Sequence, residues 1–328
     1  MGYGYWGPNI LRTLHNCKDV KIVLACDVNP ANLARMSKDF PHVPTTQHPG
    51  KIFSSPDINA IFLATPAETH FDLAKRAMEN GKHVFVEKPL TCNSRDARDL
   101  TEIAVQKNKK LMVGHVFTFH PAIQYLKHAI DTRVLGKIHF GYVQRTSLGP
   151  RVRSDVNIIW DYAIHDIYIA MYLLGGKPKW VSATGKDALQ TGIEDVVFIT
   201  MQFKSGVTYH IHSSWYDPLK VRSMTLIGSE RMITYDDMKP EKITLFNRGY
   251  APHQGMDSYG NKNLRLFDEG FEIPEIPNQQ PLQLEIEHFI DCIQNGKEIL
   301  TDGQVGIWTL EIIEAVNKSL KSNCPVFM

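Results

Sequence analysis

The sequence predicts an α/β chain of two domains: a doubly wound parallel sheet over residues 1–117, then over 118–328 an α+β domain with a large, mostly antiparallel open sheet. Three observations carry this prediction. In the first part strand and helix patterns alternate, the signature of parallel strands joined by crossover helices. Two strands there, 60–66 and 83–89, share one design: a buried-strand pattern that stops on X-Pro, Thr65-Pro66 in one and Lys88-Pro89 in the other. From 180 to about 246 strand patterns instead follow one another through hairpin turns, with no helix between them.

The chain opens on Gly2-Tyr3-Gly4-Tyr5-Trp6-Gly7, a GxGxxG match, and Pro8 suits the first turn of a helix reaching about residue 16. Such glycines allow a tight turn and let backbone approach a pyrophosphate at the helix N-terminus, as in a Rossmann-type domain. The first strand, which should precede them, is missing. A lead of about 5–6 residues before Gly2 is therefore expected in the natural protein. Restoring it should raise stability and cofactor affinity, because its neighbours otherwise keep open edges. The next strand, 20–26, ends on Asp27, where a dinucleotide fold places the carboxylate for the adenosine ribose hydroxyls. Asp27 could equally cap the helix begun by Asn29-Pro30. That helix covers 32–39, and 41–49 reads as an irregular, proline-rich connection. A helix over 70–80, closed by Gly81, follows the Thr65-Pro66 stop, and Asn93 or Ser94 caps another reaching about 108. Residues 110–114 form the last strand of this domain.

In the second domain 121–130 reads as helix, 138–146 as an alternating strand and 147–157 as a polar stretch. A strongly apolar helix, 159–174, ends at Gly175-Gly176. Hairpin signals stand at Lys204-Ser205-Gly206 and Gly228-Ser229-Glu230. Residues 247–281, rich in Gly, Pro and Asn, show little periodicity and read as a long loop. Helices over 282–295 and 305–322 complete the chain.

The 328 residues suffice for a sizeable core. With 36 basic and 35 acidic side chains and a net charge of +1, nucleic acid and membrane surfaces are excluded as main partners. The five cysteines (Cys17, Cys26, Cys92, Cys292, Cys324) have no CxxC or zinc spacing and read as reduced thiols, so no metal site is expected. No signal peptide and no membrane-length apolar run are found, which points to the cytoplasm.

Glu87-Lys88, at the carboxyl end of a strand, lies where open α/β sheets bind ligands, or is simply a salt-bridged strand end. Asp161 and His165 lie four apart on the helix 159–174 and share a face. A carboxylate there can orient an imidazole and stabilise its charged form, as general base catalysis requires; the plain alternative is a polar pair at a helix start.

Taken in order, Gly2-x-Gly4-x-x-Gly7, Thr65-Pro66-x-x-x-His70, Glu87-Lys88-Pro89 and Asp161-x-x-x-His165-Asp166 resemble the glucose–fructose oxidoreductase/inositol dehydrogenase (Gfo/Idh/MocA) family of sugar dehydrogenases, over nearly the whole chain. The resemblance implies reversible hydride transfer between a nicotinamide cofactor and a secondary alcohol. It implies that Lys88, Asp161 and His165 meet at the substrate hydroxyl. Thr65, Pro66, His70 and Glu87 then line the cofactor site, together with Gly2, Gly4, Tyr5, Trp6, Gly7 and Asp27. In oxidation His165 takes the hydroxyl proton, Asp161 orients His165, and Lys88 stabilises the oxygen. Lys88 as the base is the alternative, since burial lowers a lysine's pKa. NAD rather than NADP is expected: Asp27 would face the 2′-phosphate, Val28-Asn29-Pro30 supply no cation, and Arg35 and Lys38 lie too far along the helix.

Gly4-Tyr5-Trp6-Gly7-Pro8-Asn9 further resembles nucleotide-sugar 3-dehydrogenases, notably those acting on UDP-N-acetylglucosamine, so a sugar or nucleotide sugar oxidised at C3 is the expected substrate. A free-polyol or inositol dehydrogenase is the alternative within the enzyme class, and a non-catalytic dinucleotide- or sugar-sensing regulator the one outside it. Intact Lys88 and His165 speak against the regulator. Gly114-His115-Val116-Phe117 departs from many relatives, which carry an Asn or an Arg-containing segment there. His115 and His120 are therefore substrate contacts or packing at the domain junction. Arg145, Arg151 and Arg153 could clamp a diphosphate or be solvated, and Arg153 stands as a candidate substrate contact. Trp215, Tyr216 and Arg222 could stack on a base or sugar, but aromatics in sheets are more often core. The open sheet face is the expected surface of a homodimer or homotetramer.

Overall fold

The computed structural model describes residues 1–149, 154–256 and 262–328 (backbone alone at 252–256 and 262–263). Along the chain run α1 (Gly7–Asn16), β1 (Ala25–Cys26), α2 (Pro30–Asp39), β2 (Thr45–Thr46), α3 (Pro49–Ser54), β3 (Ala60–Leu63), α4 (His70–Glu79), β4 (His83–Glu87), α5 (Ser94–Gln106) and β5 (Leu111–Gly114). There follow α6 (Pro121–Asp131), β6 (Ile138–Leu148), α7 (Ile164–Leu174), β7 (Pro178–Lys186), β8 (Val196–Phe203), β9 (Thr208–Ser214) and β10 (Tyr216–Gly228). The chain finishes with β11 (Met232–Asp236), β12 (Ile243–Met256), β13 (Lys262–Glu272), α8 (Pro281–Gln294), α9 (Gly303–Ser322) and β14 (Val326–Phe327). Two compact units result, Met1–Phe119 with Gln279–Glu311, and His120–Asn278 with Ile312–Met328. The chain thus returns to its first unit through α8.

The named strands of the first unit pair in parallel, in the sheets β3-β4-β5 and β1-β2, with one isolated antiparallel bridge, Met112 to Asp302, on β5. The middle of β4 (Val84, Phe85, Val86) is buried completely. Helix α4 packs against this strand, and Phe289 of α8 meets the Phe85 ring at 5.9 Å. Such two-sided cover is why a parallel strand reads as a continuous apolar run. The strand expected over 20–26 forms a ladder only at Ala25–Cys26. Met1 and Gly2 occupy the position between β1 and β3: Gly2 N–H donates to the Cys26 carbonyl (2.8 Å) and Ala64 N–H to the Met1 carbonyl (2.9 Å). Behind this stitch lies a cavity of about 480 Å³, lined by Leu14, Ile22, Leu24, Ile61 and Phe62 among others. Among the described residues no strand neighbours 20–24 across it, so their β-propensity goes unused. The connection expected to be irregular over 41–49 contains β2, and α3 begins at Pro49, where proline's missing N–H costs nothing.

In the second unit, among the described residues, one sheet runs in the order β13-β12-β11-β10-β6-β9-β8-β7-β14. Its pairs are antiparallel except β6–β9. Helix α7 is apolar all round and almost wholly buried, packed against α6 and β9. The helix expected over 159–174 is divided: Ile159–Ala163 is a π-helical turn, and regular helix starts at Ile164. The long loop expected over 247–281 is mostly the hairpin β12–β13, in register from Leu245↔Glu272 to Met256↔Lys262 with two irregularities. Its Tyr250, Leu264, Leu266 and Phe271 are exposed. Beyond the buried Ile243 and Leu245 at the start of β12, ladder hydrogen bonds rather than a buried face hold that hairpin, so this part leaves no clean alternation in the sequence.

Candidate active site

The glycine loop is shaped by close approach. Gly2 has φ +88°, and a Cβ there would lie 2.4 Å from the Ala64 carbonyl oxygen. A Cβ on Gly7 would come within 2.2 Å of the Gly2 carbonyl oxygen, whereas one on Gly4 would meet nothing within 4 Å. The N-terminus of α1 has no side-chain cap. Open backbone at Gly4 beside uncapped helix N–H groups fits a dinucleotide pyrophosphate. Asp27 is buried at the end of β1 and accepts from Tyr3 N–H (2.6 Å), Asn29 N–H (2.8 Å) and the Asn32 amide (3.1 Å). It does not cap α2; Asn29 does, accepting from Ala31 N–H. The expectation that Arg35 lies too far along α2 is corrected. Its guanidinium sits over the Tyr3 ring at 5.0 Å and donates to the carbonyls of Tyr3 and, at 3.1 Å, Gly4. Because α2 runs back toward the loop, one long side chain spans the gap. Tyr5 is 87% exposed and stands clear of these bonds.

A 2′-phosphate beside Asp27 would meet a like charge, worth about 4 kcal/mol at ~4 Å and an effective dielectric of about 20, less whatever Arg35 offsets. NADP should therefore bind at least about tenfold more weakly than NAD, tenfold being about 1.4 kcal/mol, and Asp27→Ala should narrow the gap. Parallel titrations of the two oxidised cofactors measure this, and equal affinity for the wild type would refute it.

The two X-Pro stops form one floor. His70, the first residue of α4 and 1% exposed, places Nδ1 2.8 Å from the Pro89 carbonyl and Nε2 2.9 Å from the Thr65 carbonyl. One ring thus ties the end of β3 to the end of β4, and burial lowers its pKa against the pull of both carbonyls. Thr69 adds a bond to the Thr65 hydroxyl at 2.8 Å. The Lys88–Pro89 peptide is cis. Glu87 turns its carboxyl against Gly114, where a Cβ would sit 3.1 Å from it. That carboxyl takes a proton donor from the Trp6 indole and another from Lys88 N–H (3.3 Å). Burial pushes Glu87 up to about 7, with Lys88 and these donors pulling the other way. Trp6 and Glu87, both expected at the cofactor, thus hold each other.

His115 follows β5 and is 1% exposed. Burial, then the Lys88 charge, pushes its imidazole down to about 3. An unfolded histidine titrates near 6.5. The stability tied to neutral His115 is therefore complete above about pH 6.5 and lost as pH falls toward 3, roughly 5 kcal/mol in all. The stability of a His115→Phe variant should fall less steeply across that window, as read from denaturation at several pH values; parallel pH profiles would refute it.

In the second unit the π turn carries Asp161, which accepts from the Trp215 indole at 3.0 Å. His165, at the start of α7, has Nδ1 3.1 Å from the Tyr168 hydroxyl. Asp166, fully buried, forms a two-pronged ion pair with Arg145 of β6, both contacts 2.8 Å. Arg145, in the strand expected over 138–146, is therefore neither a diphosphate clamp nor a solvated cation but half of a buried ion pair. Asp161 and His165, expected as a pair, thus each have a partner of their own, Trp215 (2% exposed) and Tyr168, and nothing in the sequence links residue 215 to residue 161. His120 caps α6 and lies 3.7 Å from Asp237. Arg151 and Arg153 fall outside the described residues.

Residues 1–115 match the oxidoreductase family with an NAD-binding Rossmann fold, and residues 123–234 match the GFO/IDH/MocA C-terminal domain. The chain belongs to the GFO/IDH/MocA oxidoreductase family. This GFO/IDH/MocA chain is 28% identical to the scyllo-inositol 2-dehydrogenase (NAD(+)) of Bacillus subtilis, covering 99% of itself and 93% of that protein. It is also 28% identical to the UDP-N-acetylglucosamine 3-dehydrogenase of Acidithiobacillus ferrooxidans, covering 76% of itself and 75% of that protein. A solved structure of the Acidithiobacillus ferrooxidans enzyme matches with a TM-score of 0.83 at 24% identity, covering 98% and 96% of the two chains. The GFO/IDH/MocA chain shares that fold, and its residues 1–115 are the family's NAD-binding domain. No helix among the described residues is long and apolar enough to cross a membrane.

Proposed function

We propose that this GFO/IDH/MocA oxidoreductase oxidises a secondary alcohol on a sugar ring, with a nucleotide sugar such as UDP-N-acetylglucosamine at C3 as its substrate. The observation that carries the chemistry is Lys88, fixed at the carboxyl end of β4 on a floor that His70 ties together. When bound, NAD accepts a hydride from the alcohol carbon. We assign the hydroxyl proton to His165, whose Nδ1 is turned to Tyr168, and stabilisation of the developing oxygen charge to Lys88. Asp161 supports the imidazolium, and the Trp215 indole holds that carboxylate. A second reading, an inositol or free-polyol dehydrogenase, is favoured by the Bacillus subtilis relative, whose match extends over 99% of this chain.

Nicotinamide absorbance with UDP-N-acetylglucosamine, myo-inositol and scyllo-inositol separates the two. Turnover of an inositol alone replaces the first reading with the second. No turnover of any sugar alcohol, with NAD binding intact, would favour a sensor. For self-association we propose the exposed aromatic band of Phe140, Tyr142 and Phe198, the last stacked on His212 at 4.4 Å. Phe140→Asp with Tyr142→Asp should then yield monomers by solution mass measurement, and an unchanged mass would reject this surface.

A further inference from the structure

Helix α8 buries a carboxyl that no bond accounts for. Glu285 is 0% exposed, and neither carboxyl oxygen has a hydrogen-bond partner. Glu285 and Phe289 lie four apart and share a helix face. Phe289 meets Phe85 of β4, and Phe85 and Glu87, two apart on a strand, also share a face. Four residues of helix and two of strand each advance about 6–7 Å. With α8 running opposite to β4, the same step that leads from Phe289 to Glu285 leads from Phe85 to Glu87 and sets the two carboxyls side by side. The Glu87 charge acts on Glu285 accordingly.

We propose that Glu285 is a positioning residue: it stays protonated and gives its proton to a hydrogen bond with the Glu87 carboxylate, so that the two share one negative charge beside Lys88. An ionised carboxylate without a donor in such a place is unfavourable, whereas a neutral carboxyl has an O–H to give. Two adjacent carboxyls holding one proton separate into one easily ionised member and one that resists. Burial first, and the Glu87 charge second, raise Glu285 well above the ordinary carboxyl range. Among the described residues, Glu87 is faced by the Trp6 indole from the glycine loop and by Lys88 at the end of β4, and the Lys88 charge in turn acts on His115, which burial holds neutral. One turn along α8 stands His288, whose pKa burial likewise lowers. The pair gives Lys88 a fixed counter-charge, and in this respect the inference deepens the role proposed for Lys88.

The Trp6 indole N–H reports on Glu87 directly, so its NMR shift, assigned with Trp6→Phe, can be titrated with no cofactor or substrate present. That separates failure of the pair from failure of the proposed reaction. In the wild type the shift should follow one transition near 7. Glu285→Leu fills the space without a donor and should move the midpoint up by about one unit or more, tenfold in proton affinity. Glu285→Gln restores a donor and should return it close to the wild-type value. A packing role predicts the reverse, with leucine tolerated and both midpoints unchanged, and would overturn the proposal. The infrared band of a protonated carboxyl supplies a second measurement on the wild type. It should persist at pH 9, where Glu87 is ionised, and vanish there in Glu285→Gln; its absence from the wild type at that pH would equally overturn the proposal.

Discussion

Replacing Arg145 with leucine is expected to destabilise the protein by about 3–5 kcal/mol, the usual cost of breaking a buried ion pair from one side. Asp166 is completely buried, and both its oxygens accept from the Arg145 guanidinium at 2.8 Å. Burial alone would discourage charge on Arg145, but Asp166 outweighs it and keeps the guanidinium charged. Without Arg145 the carboxylate must remain charged in a poor solvent or take up a proton. Either way the stability of the pair is lost. The cost belongs to the orphaned charge rather than to the bond, so Arg145→Leu with Asp166→Leu should recover most of it. Denaturant unfolding of the two single variants and the double variant measures this. A single variant within about 1 kcal/mol of wild type, a typical effect for a point change, would show that Asp166 finds another partner.

The legible parts of this chain were those whose signal is local. Buried parallel strands such as β4 read as apolar runs, and the glycines of the opening loop and the X-Pro stops read directly from residue type. The N-cap of α5 narrowed to Asn93 or Ser94, and it is Asn93 whose side chain accepts from Asp96 N–H at 2.9 Å. Structure that depends on distant partners was not legible. Arg145, although inside the strand expected over 138–146, looked like a diphosphate clamp or a solvated cation together with Arg151 and Arg153, because only the pairing of β6 with β9 and β10 brings it inside the sheet unit. Arg35 looked remote because distance along a helix says nothing of where the helix points. Nothing in the sequence singles out Glu285, since its burial follows from α8 returning to the first unit. The β12–β13 hairpin escaped notice because both its faces are mixed, and periodicity detects a strand only when one face is buried.

The largest effect on activity is expected from His165 and Lys88. Loss of a general base costs about 10²–10⁴ in rate, and loss of a preorganised donor to a developing oxyanion about 10²–10³. His165→Ala and Lys88→Ala should each remove most turnover. If both serve one proton transfer the double variant should be little worse than either, because groups working as a unit lose their value together. NAD affinity should survive His165→Ala, since the glycine loop, Asp27 and the X-Pro floor all belong to the first unit and His165 to the second. The supporting residues grade the effect. Asp161→Asn keeps an acceptor for the Trp215 indole but gives up the charge that favours imidazolium, so it should lower the rate while preserving stability. Trp215→Phe keeps the charge and frees the carboxylate to move, and should cost less, about 1 kcal/mol for one neutral hydrogen bond or somewhat more to a charged group. Tyr168→Phe removes the partner of His165 Nδ1 and should shift the pH profile of turnover more than its plateau. Single-turnover hydride transfer on whichever substrate proves active, with NAD binding measured separately, tests the series. Wild-type turnover in His165→Ala would end the assignment of His165 as the base and leave Lys88 to take the proton.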